Sequence, residues 1–262
     1  MKIASWNVNS LRVRLGHVID WLQSAEPDVL GLQELKMQTD DFPTDEFSKI
    51  GYHSIANGQK TYNGVALLSR VAAENPVINF PDFPDEQRRV IGATYNGIRV
   101  INLYVPNGQS VGSEKYEYKL GWLDALNRFM QAELGNHEQL AVMGDFNIAP
   151  DDRDVHDPDE WRDKVLCSDA ERERLTGLCE LGLTDSFRLF DQPEQTFSWW
   201  DYRAAAFRRK RGLRIDLILL SEALAGRCVA STVDVEPRKL ERPSDHAPVV
   251  AEFDQARSPR KK

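Results

Sequence analysis

Polar residues recur where short apolar runs of the chain end. Asn7 follows KIASW, Glu34 follows VLGLQ, and Tyr104 and Asn107 follow IRVINL. Asp145 and Asn147 follow QLAVMG, Asp216 stands within LRIDLILL, and Asp245 and His246 precede PVVAEF. Taken singly, each reads equally well as a turn or cap residue, because Asp and Asn bond their own backbone. Taken together they form an oxygen-rich set. Glu34, Asp145 and Asp245, with the amide oxygens of Asn7 and Asn147, include no cysteine, which suits Mg2+ or Mn2+ rather than zinc. A carboxylate at Asp216 is costly to bury among Leu213, Ile215, Leu217 and Ile218 unless it is paired. Of the five histidines, His246 is the one that heads an apolar run, so it is the expected partner. An Asp–His pair orients the imidazole and fixes its tautomer. A hard cation with a base or a positioned water is equipment for phosphodiester hydrolysis.

These residues need elements to carry them. KIASWNV (2–8), VLGLQEL (29–35) and GVALLSR (64–70) read as strands. VIGATY and IRVINLYV flank Asn96-Gly97, a two-residue turn signal, so 90–105 is expected to be a hairpin. QLAVMGDFNI (139–148), TFSWW (196–200), LRIDLILL (213–220) and PVVAEF (248–253) are further strand candidates. Leu15, Val18, Ile19 and Leu22 mark one face of a helix capped by Asn9 or Ser10 and ending before Pro27. Ser113 opens a second helix with Tyr116, Leu120, Leu123, Leu126 and Met130 inward, and Gly135 is placed to stop it. Ser168 and Glu171 form a capping box for a third, with Leu175, Leu178 and Cys179 on its apolar side.

The chain has 262 residues, 41% hydrophobic and 28% charged, and no low-complexity linker divides it. Mixed hairpins and crossovers predict one α/β domain over 1–254, with packed sheets and outer helices, followed by a flexible basic tail at 255–262. Cys167, Cys179 and Cys228 make an odd set without metal-ligand spacing or a disulfide framework. No stretch approaches the ~18 apolar residues of a membrane span, and the N-terminus lacks an apolar signal core. The expectation is a cytoplasmic monomer. A net charge of −8 means that any nucleic-acid contact depends on a local patch. RAAAFRRKRGLR (203–214) supplies one. Arg203, Arg208, Arg209, Lys210, Arg211 and Arg214 stand there with no acid among them. Such runs are commonly solvated loops. This one lies between Trp199 and Asp216, which favours phosphate contacts.

KIASWNVN, LQELK, YVPNG, MGDFNIAP, LRIDLILL and PSDHAPV, in that order, resemble the exonuclease III family of bacterial class II AP endonucleases. The resemblance runs from Lys2 to about Phe253, and FSWWDY (197–202) narrows it to the DNA-repair branch. It implies a DNase I-like four-layered α/β sandwich, two mixed sheets face to face with helices outside. It also implies Mg2+-dependent (or Mn2+-dependent) hydrolysis of double-stranded DNA 5′ to an abasic site, and processing of damaged 3′ ends. On that reading Glu34 is the principal metal ligand, with Asn7 and Asp245 near the same ion. Asp145 positions or deprotonates the attacking water, and Asn147 holds a phosphate oxygen. His246, oriented by Asp216, meets the scissile phosphate, with Tyr104 beside it. Asn107 and Trp199 line the sugar pocket. The general base is left open between Asp145 and His246.

Two departures bear on the activity. Gln109-Ser110 follow YVPNG, where animal AP endonucleases carry an arginine that enters DNA, so that wedge is absent. VLCS (165–168) falls at the pocket rim, and a bulky Leu166 there would narrow the pocket and favour 3′-end processing over incision at abasic sites. The competing readings are a phosphodiesterase acting on a lipid headgroup or inositol phosphate, and a non-catalytic DNA-binding module. The basic segment beside FSWWDY opposes the first. The complete set Glu34, Asp145, Asn147, Asp216 and His246 opposes the second.

Overall fold

The computed structural model describes residues 1–254, and the expected basic tail lies outside them. Among the described residues, twelve strands form two six-stranded sheets. The first holds β1 (Lys2–Asn7), β2 (Val29–Gln33), β3 (His53–Asn57), β4 (Val65–Ser69), β11 (Cys228–Val233) and β12 (Val249–Phe253), in the order β11-β12-β1-β2-β4-β3. The second holds β5 (Glu74–Ile78), β6 (Val90–Tyr95), β7 (Ile98–Tyr104), β8 (Leu140–Asp145), β9 (Leu183–Asp185) and β10 (Asp216–Ser221), in the order β5-β6-β7-β8-β10-β9. The helices are α1 (Leu11–Ala25), α2 (Thr44–Lys49), α3 (Glu114–Asn136), α4 (Pro158–Trp161), α5 (Asp169–Glu180) and α6 (Glu222–Ala225).

Each sheet is mixed because each contains one parallel pair, β1 with β2 and β7 with β8. Parallel neighbours need a long crossover, and α1 and α3 supply the two. The layers follow from the alternation of side chains along the strands. Ile3, Val29, Val100, Met143 and Ile218 meet between the sheets. Trp6, Leu30, Leu32 and Ala66 point outward under α1 and α2. Leu103, Leu140 and Val142 point outward under α3 and α5. This is the expected four-layered sandwich. Asn96 and Gly97 turn the β6–β7 hairpin with φ of 50° and 79°, the left-handed pair of a two-residue turn.

Several local expectations need correcting. TFSWW is not a strand: Trp199 makes isolated bridges to Leu213 and His246. The strand in LRIDLILL starts at Asp216, so this acid opens β10 rather than interrupting it. Ser10 precedes α1 but makes no side-chain cap bond, since its backbone stands at φ 88°. Leu120 is only half-buried, α3 runs past Gly135 to Asn136, and Cys179 is exposed. Strands β3, β5, β9 and β11 escaped the pattern because they are short, partly exposed or interrupted by Pro76.

Among the described residues no helix is long and apolar enough to cross a membrane.

Candidate active site

The carboxyl ends of parallel strands open onto a crevice where polar groups collect. Here both parallel pairs end on the same side of the sandwich. Asn7 ends β1, Glu34 follows β2, Tyr104 ends β7 and Asp145 ends β8. The antiparallel neighbours begin there. Asp216 opens β10 directly opposite Asp145, and His246 precedes β12, which pairs with β1. Residues from both ends of the chain therefore meet at one rim. Gly144 allows the β8 tip, because a Cβ there would overlap the Leu103 carbonyl.

Asn7 Nδ2 lies between the two principal acids. It donates to Glu34 Oε1 at 3.0 Å and to Asp145 Oδ2 at 2.9 Å. The Tyr104 hydroxyl donates to Glu34 Oε1 at 3.1 Å. Lys36 Nζ lies 2.9 Å from Glu34 Oε2 and also donates to Asn9 Oδ1 at 2.5 Å. Asp145 Oδ1 accepts from the Asn147 backbone N–H at 2.9 Å, the Asx turn that aims the β8 tip.

His246 faces Asp216 through Nδ1 at 2.9 Å and Asp145 Oδ2 through Nε2 at 3.7 Å. Ser198 completes this unit. Its hydroxyl donates to Asp216 Oδ2 at 2.6 Å and accepts from the Ile215 and Asp216 N–H groups, both at 3.0 Å. Ser198 had no signal in the sequence beyond its place in FSWW. Arg89, whose guanidinium stacks 4.6 Å over the Tyr104 ring, had none either.

The electrostatics follow from burial and neighbours. Burial raises the Asp145 carboxyl, and Asp216 and Glu34 add to the rise, while His246 and the Asn7 amide oppose it. Burial alone would lower the His246 imidazole. Asp216 and then Asp145 outweigh it and hold the ring protonated, with a pKa of about 10. Burial, and next Glu34 and Asp145, push the Tyr104 phenol well above its ordinary value, so it remains a neutral donor.

A prediction follows for Asp216→Asn. A protonated His246 stabilises the fold fully below its unfolded value near 6.5, and that contribution is lost as pH rises through about 10. Removing the Asp216 charge should bring the imidazole titration down and shorten this window from the alkaline side. NMR titration of His246 and melting curves from pH 6 to 10, both in chelator, would check it. An unmoved imidazole titration would refute it.

The ligating atoms of Glu34, Asp145 and His246 all lie within 4.8 Å of one another. The two carboxylates, with no thiolate among them, fit a hard divalent ion; the protonated His246 ring can only donate beside it, and the Glu34 side chain, 16% exposed, leaves a way in. Of the other expected ligands, Asp245 lies outside this group, whereas Asn7 bonds two of its members. Asp245 has both oxygens engaged, Oδ1 by Asn9 Nδ2 at 2.9 Å and Oδ2 by Trp199 Nε1 at 3.1 Å. The Asn147 amide donates to the Val105 carbonyl at 2.9 Å and accepts from Asn107 at 3.3 Å. Asn7 presents its NH2 to the acids while its oxygen accepts from the Asn9 N–H.

Trp199 stands at the rim, 6.5 Å from the His246 ring and 6.4 Å from Trp161. Leu166 is 4% exposed and packs with Ala149, Val155, Leu213 and Ile215, with Trp199 alongside. It therefore fills the rim and offers little surface for contact. Its φ of 76° is left-handed, a conformation that costs a residue with a Cβ about 1–2 kcal/mol. On the other side, a cavity of about 660 Å³ opens beside Tyr104 and Asn107, lined also by Tyr62, Arg89 and Lys115.

The basic segment is smaller than its sequence suggests. Arg214 is 1% exposed and bound to Asp154 at 2.6 Å and Asp185 at 2.7 Å, so it is removed from any DNA contact. These acids lie 60 and 29 positions away, which hides the pairing from a local reading. Arg211 pairs with Glu160 and Arg203 with Asp201. Arg208, Arg209 and Lys210 are exposed and make no ion pair among the described residues.

Comparison with known proteins places this geometry. The profile of the endonuclease/exonuclease/phosphatase family matches residues 4–246. The exodeoxyribonuclease III of Haemophilus influenzae is 40% identical over 266 residues, spanning 97% of this chain and 100% of that protein. A Neisseria 3′ phosphatase solved with a product DNA hairpin is 50% identical and superposes with a TM-score of 0.96, over 97% of this chain and 100% of the other. An AP endonuclease from Archaeoglobus fulgidus is 41% identical with a TM-score of 0.94 at the same coverage.

Proposed function

The chain belongs to the exonuclease III members of the endonuclease/exonuclease/phosphatase family and is a hydrolytic DNA-repair nuclease; we propose that it uses a divalent ion, Mg2+ or Mn2+, and works chiefly on damaged 3′ ends of double-stranded DNA. The observation that carries this reading is the meeting of Glu34, Asp145 and the His246–Asp216 pair at the strand tips.

Glu34 and Asp145, with Asn7 beside them, would hold the ion. When bound, it supplies charge neutralisation at the phosphate and acidifies water. His246 enters as a donor to a non-bridging phosphate oxygen, because two carboxylates keep its ring protonated. That leaves Asp145 as the group to orient the attacking water and take its proton, and its raised basicity suits the task. Tyr104 donates a second hydrogen bond to the phosphate. Asn147 and Asn107 line the same wall, and Trp199 packs against the sugar. In this scheme residues 1–254 act as one catalytic unit and as a monomer, with Asp245 orienting Trp199 and standing near the ion.

Leu166 sets the preference. With the rim filled, a terminal 3′ group reaches the site more readily than an extrahelical abasic sugar, which must first swing out of the duplex. The Neisseria 3′ phosphatase at 50% identity supports this choice.

The test is one gel. Labelled duplexes bearing a 3′-phosphate, a recessed 3′-hydroxyl or an internal abasic analogue are incubated with and without Mg2+. We expect the 3′-phosphate to be removed fastest, and only with the ion. Internal incision at an equal rate would overturn the preference, and inactivity on all three DNAs would overturn the nuclease reading.

Exposed cations should govern affinity. Replacing Arg208, Arg209 and Lys210 together by alanine is expected to weaken DNA binding regardless of sequence. The slope of log K against log salt should fall by about 0.9 for each phosphate that the protein no longer neutralises. Arg214→Ala is expected instead to destabilise the fold by about 3–5 kcal/mol, because it leaves Asp154 and Asp185 without their buried partner. Salt-dependent binding curves and thermal melts separate the two.

A further inference from the structure

Lys119 and Glu171 take no part in the chemistry above, yet both side chains are 0% exposed. Lys119 lies on α3 and Glu171 in the first turn of α5. An ammonium has three N–H donors, and Lys119 uses all of them. One goes to Glu171 Oε1, one to the Asn107 carbonyl at 3.1 Å and one to the Asn147 carbonyl at 2.7 Å. A single buried cation therefore ties the tip beyond β7 to the tip beyond β8. Gly108 lets the first tip close over the lysine stem, since a Cβ there would lie 3.0 Å from Lys119 Cδ.

Glu171 extends the connection to the rim. Its Oε1 also accepts from the Leu166 N–H at 3.0 Å, and its Oε2 accepts from Ser168 N at 3.2 Å and Ser168 Oγ at 2.5 Å. The Leu166 carbonyl accepts in turn from the Ala149 N–H at 2.8 Å, two residues from Asn147. The left-handed backbone of Leu166 is thus held from both sides.

A buried ion pair adds little stability over an apolar pair of the same volume, so its presence calls for another reason. Here the reason is geometric. We infer that the Lys119–Glu171 pair sets the shape of the substrate pocket, Lys119 positioning Asn107 and Asn147, and Glu171 positioning Leu166. The pair thereby selects among DNA substrates. This rests on the reading of the site given above. Both residues are positioning residues and touch no reacting atom.

The informative readout is the rate of internal abasic incision divided by the rate of 3′-phosphate removal. Both rates scale with the same folded fraction, so simple loss of fold leaves the ratio unchanged. The double variant Lys119→Met/Glu171→Gln leaves no lone buried charge. Glu171→Gln alone keeps an acceptor at that place but leaves the Lys119 charge unpaired, so it carries the same comparison at reduced temperature if the double variant is insoluble. We expect the ratio to rise about tenfold, the scale of discrimination by a shifted pocket wall. Leu166→Gly, which suits the left-handed backbone, should raise it similarly. Combining the changes should give less than the product of their effects, because they act through one wall. Equal falls in both rates, an unmoved ratio, or fully independent effects would overturn the proposal. So would a wild type that already cuts both DNAs equally. A wild type inactive on both would overturn the nuclease reading, and this one with it.

Discussion

Asp145→Asn protein is expected to keep its fold and lose about 10³-fold in kcat, within the range for removing a positioned base. The carboxylate is 1% exposed, held by the Asn7 amide and the Asn147 N–H, and stands 3.7 Å from His246 Nε2. An amide there keeps the shape and removes both the charge and the basicity. At saturating Mg2+ KM should change little, because Asp145 is assigned to the water and the ion and makes no bond to the DNA. The stability effect has a definite sign. The folded-state pKa of Asp145 is raised, so the fold is penalised as pH climbs from the ordinary carboxylate range through that raised value. Asparagine removes the penalty, and melting in chelator at pH 8 should come no lower than for the wild type. Wild-type turnover by the purified variant would sink the assignment. A collapsed melting temperature would contradict the electrostatic account.

Glu34→Gln and removal of the ion should have the next largest effects. Glu34 Oε1 accepts from Asn7 and Tyr104, while Oε2 faces Lys36. All three of these partners are donors, so a glutamine must turn its NH2 toward one of them. The negative charge that would attract a divalent ion is lost as well. We expect activity to fall about 10²-fold or more at fixed Mg2+, and calorimetric Mg2+ affinity to fall at least about tenfold, as for other disturbed metal sites. Excess EDTA should abolish wild-type activity, and added Mg2+ should restore it. Undiminished hydrolysis in EDTA, or an unchanged Mg2+ titration in the variant, would remove the ion from the mechanism. The calorimetry needs no DNA, so it tests the site apart from turnover.

The two experiments probe different halves of the sandwich. Glu34 belongs to the β1–β2 sheet, and Asp145 to the β7–β8 sheet. The proposed scheme requires the two tips to stay together, and Asn7 bonds both.

Much of this site is legible in one dimension, for a physical reason. Polar residues at the ends of apolar runs mark strand tips, and Asn7, Glu34, Tyr104, Asp145 and His246 all carry that mark. A carboxylate such as Asp216 next to a buried strand has to find a partner, and few histidines compete for the role. The hairpin at Asn96-Gly97 and the capping box at Ser168 depend on neighbours a few positions away, so they too can be read locally.

What the tertiary structure alone decided depends on residues far apart in the chain. Which oxygens face one another was such a matter. Asp245 stands beside His246 in the chain, and its two oxygens accept from Trp199 and Asn9, 46 and 236 positions away. Arg214 looks like a DNA contact, yet Asp154 and Asp185 draw it into the interior. Lys119 reads as one more charged residue of a long helix, and its three bonds to Glu171, Asn107 and Asn147 exist only after four segments have packed. Residue type and spacing determine where polar groups must lie along a strand or helix. Only packing determines which of them meet, because burial imposes on each unpaired donor or acceptor a free-energy cost that distant partners must offset.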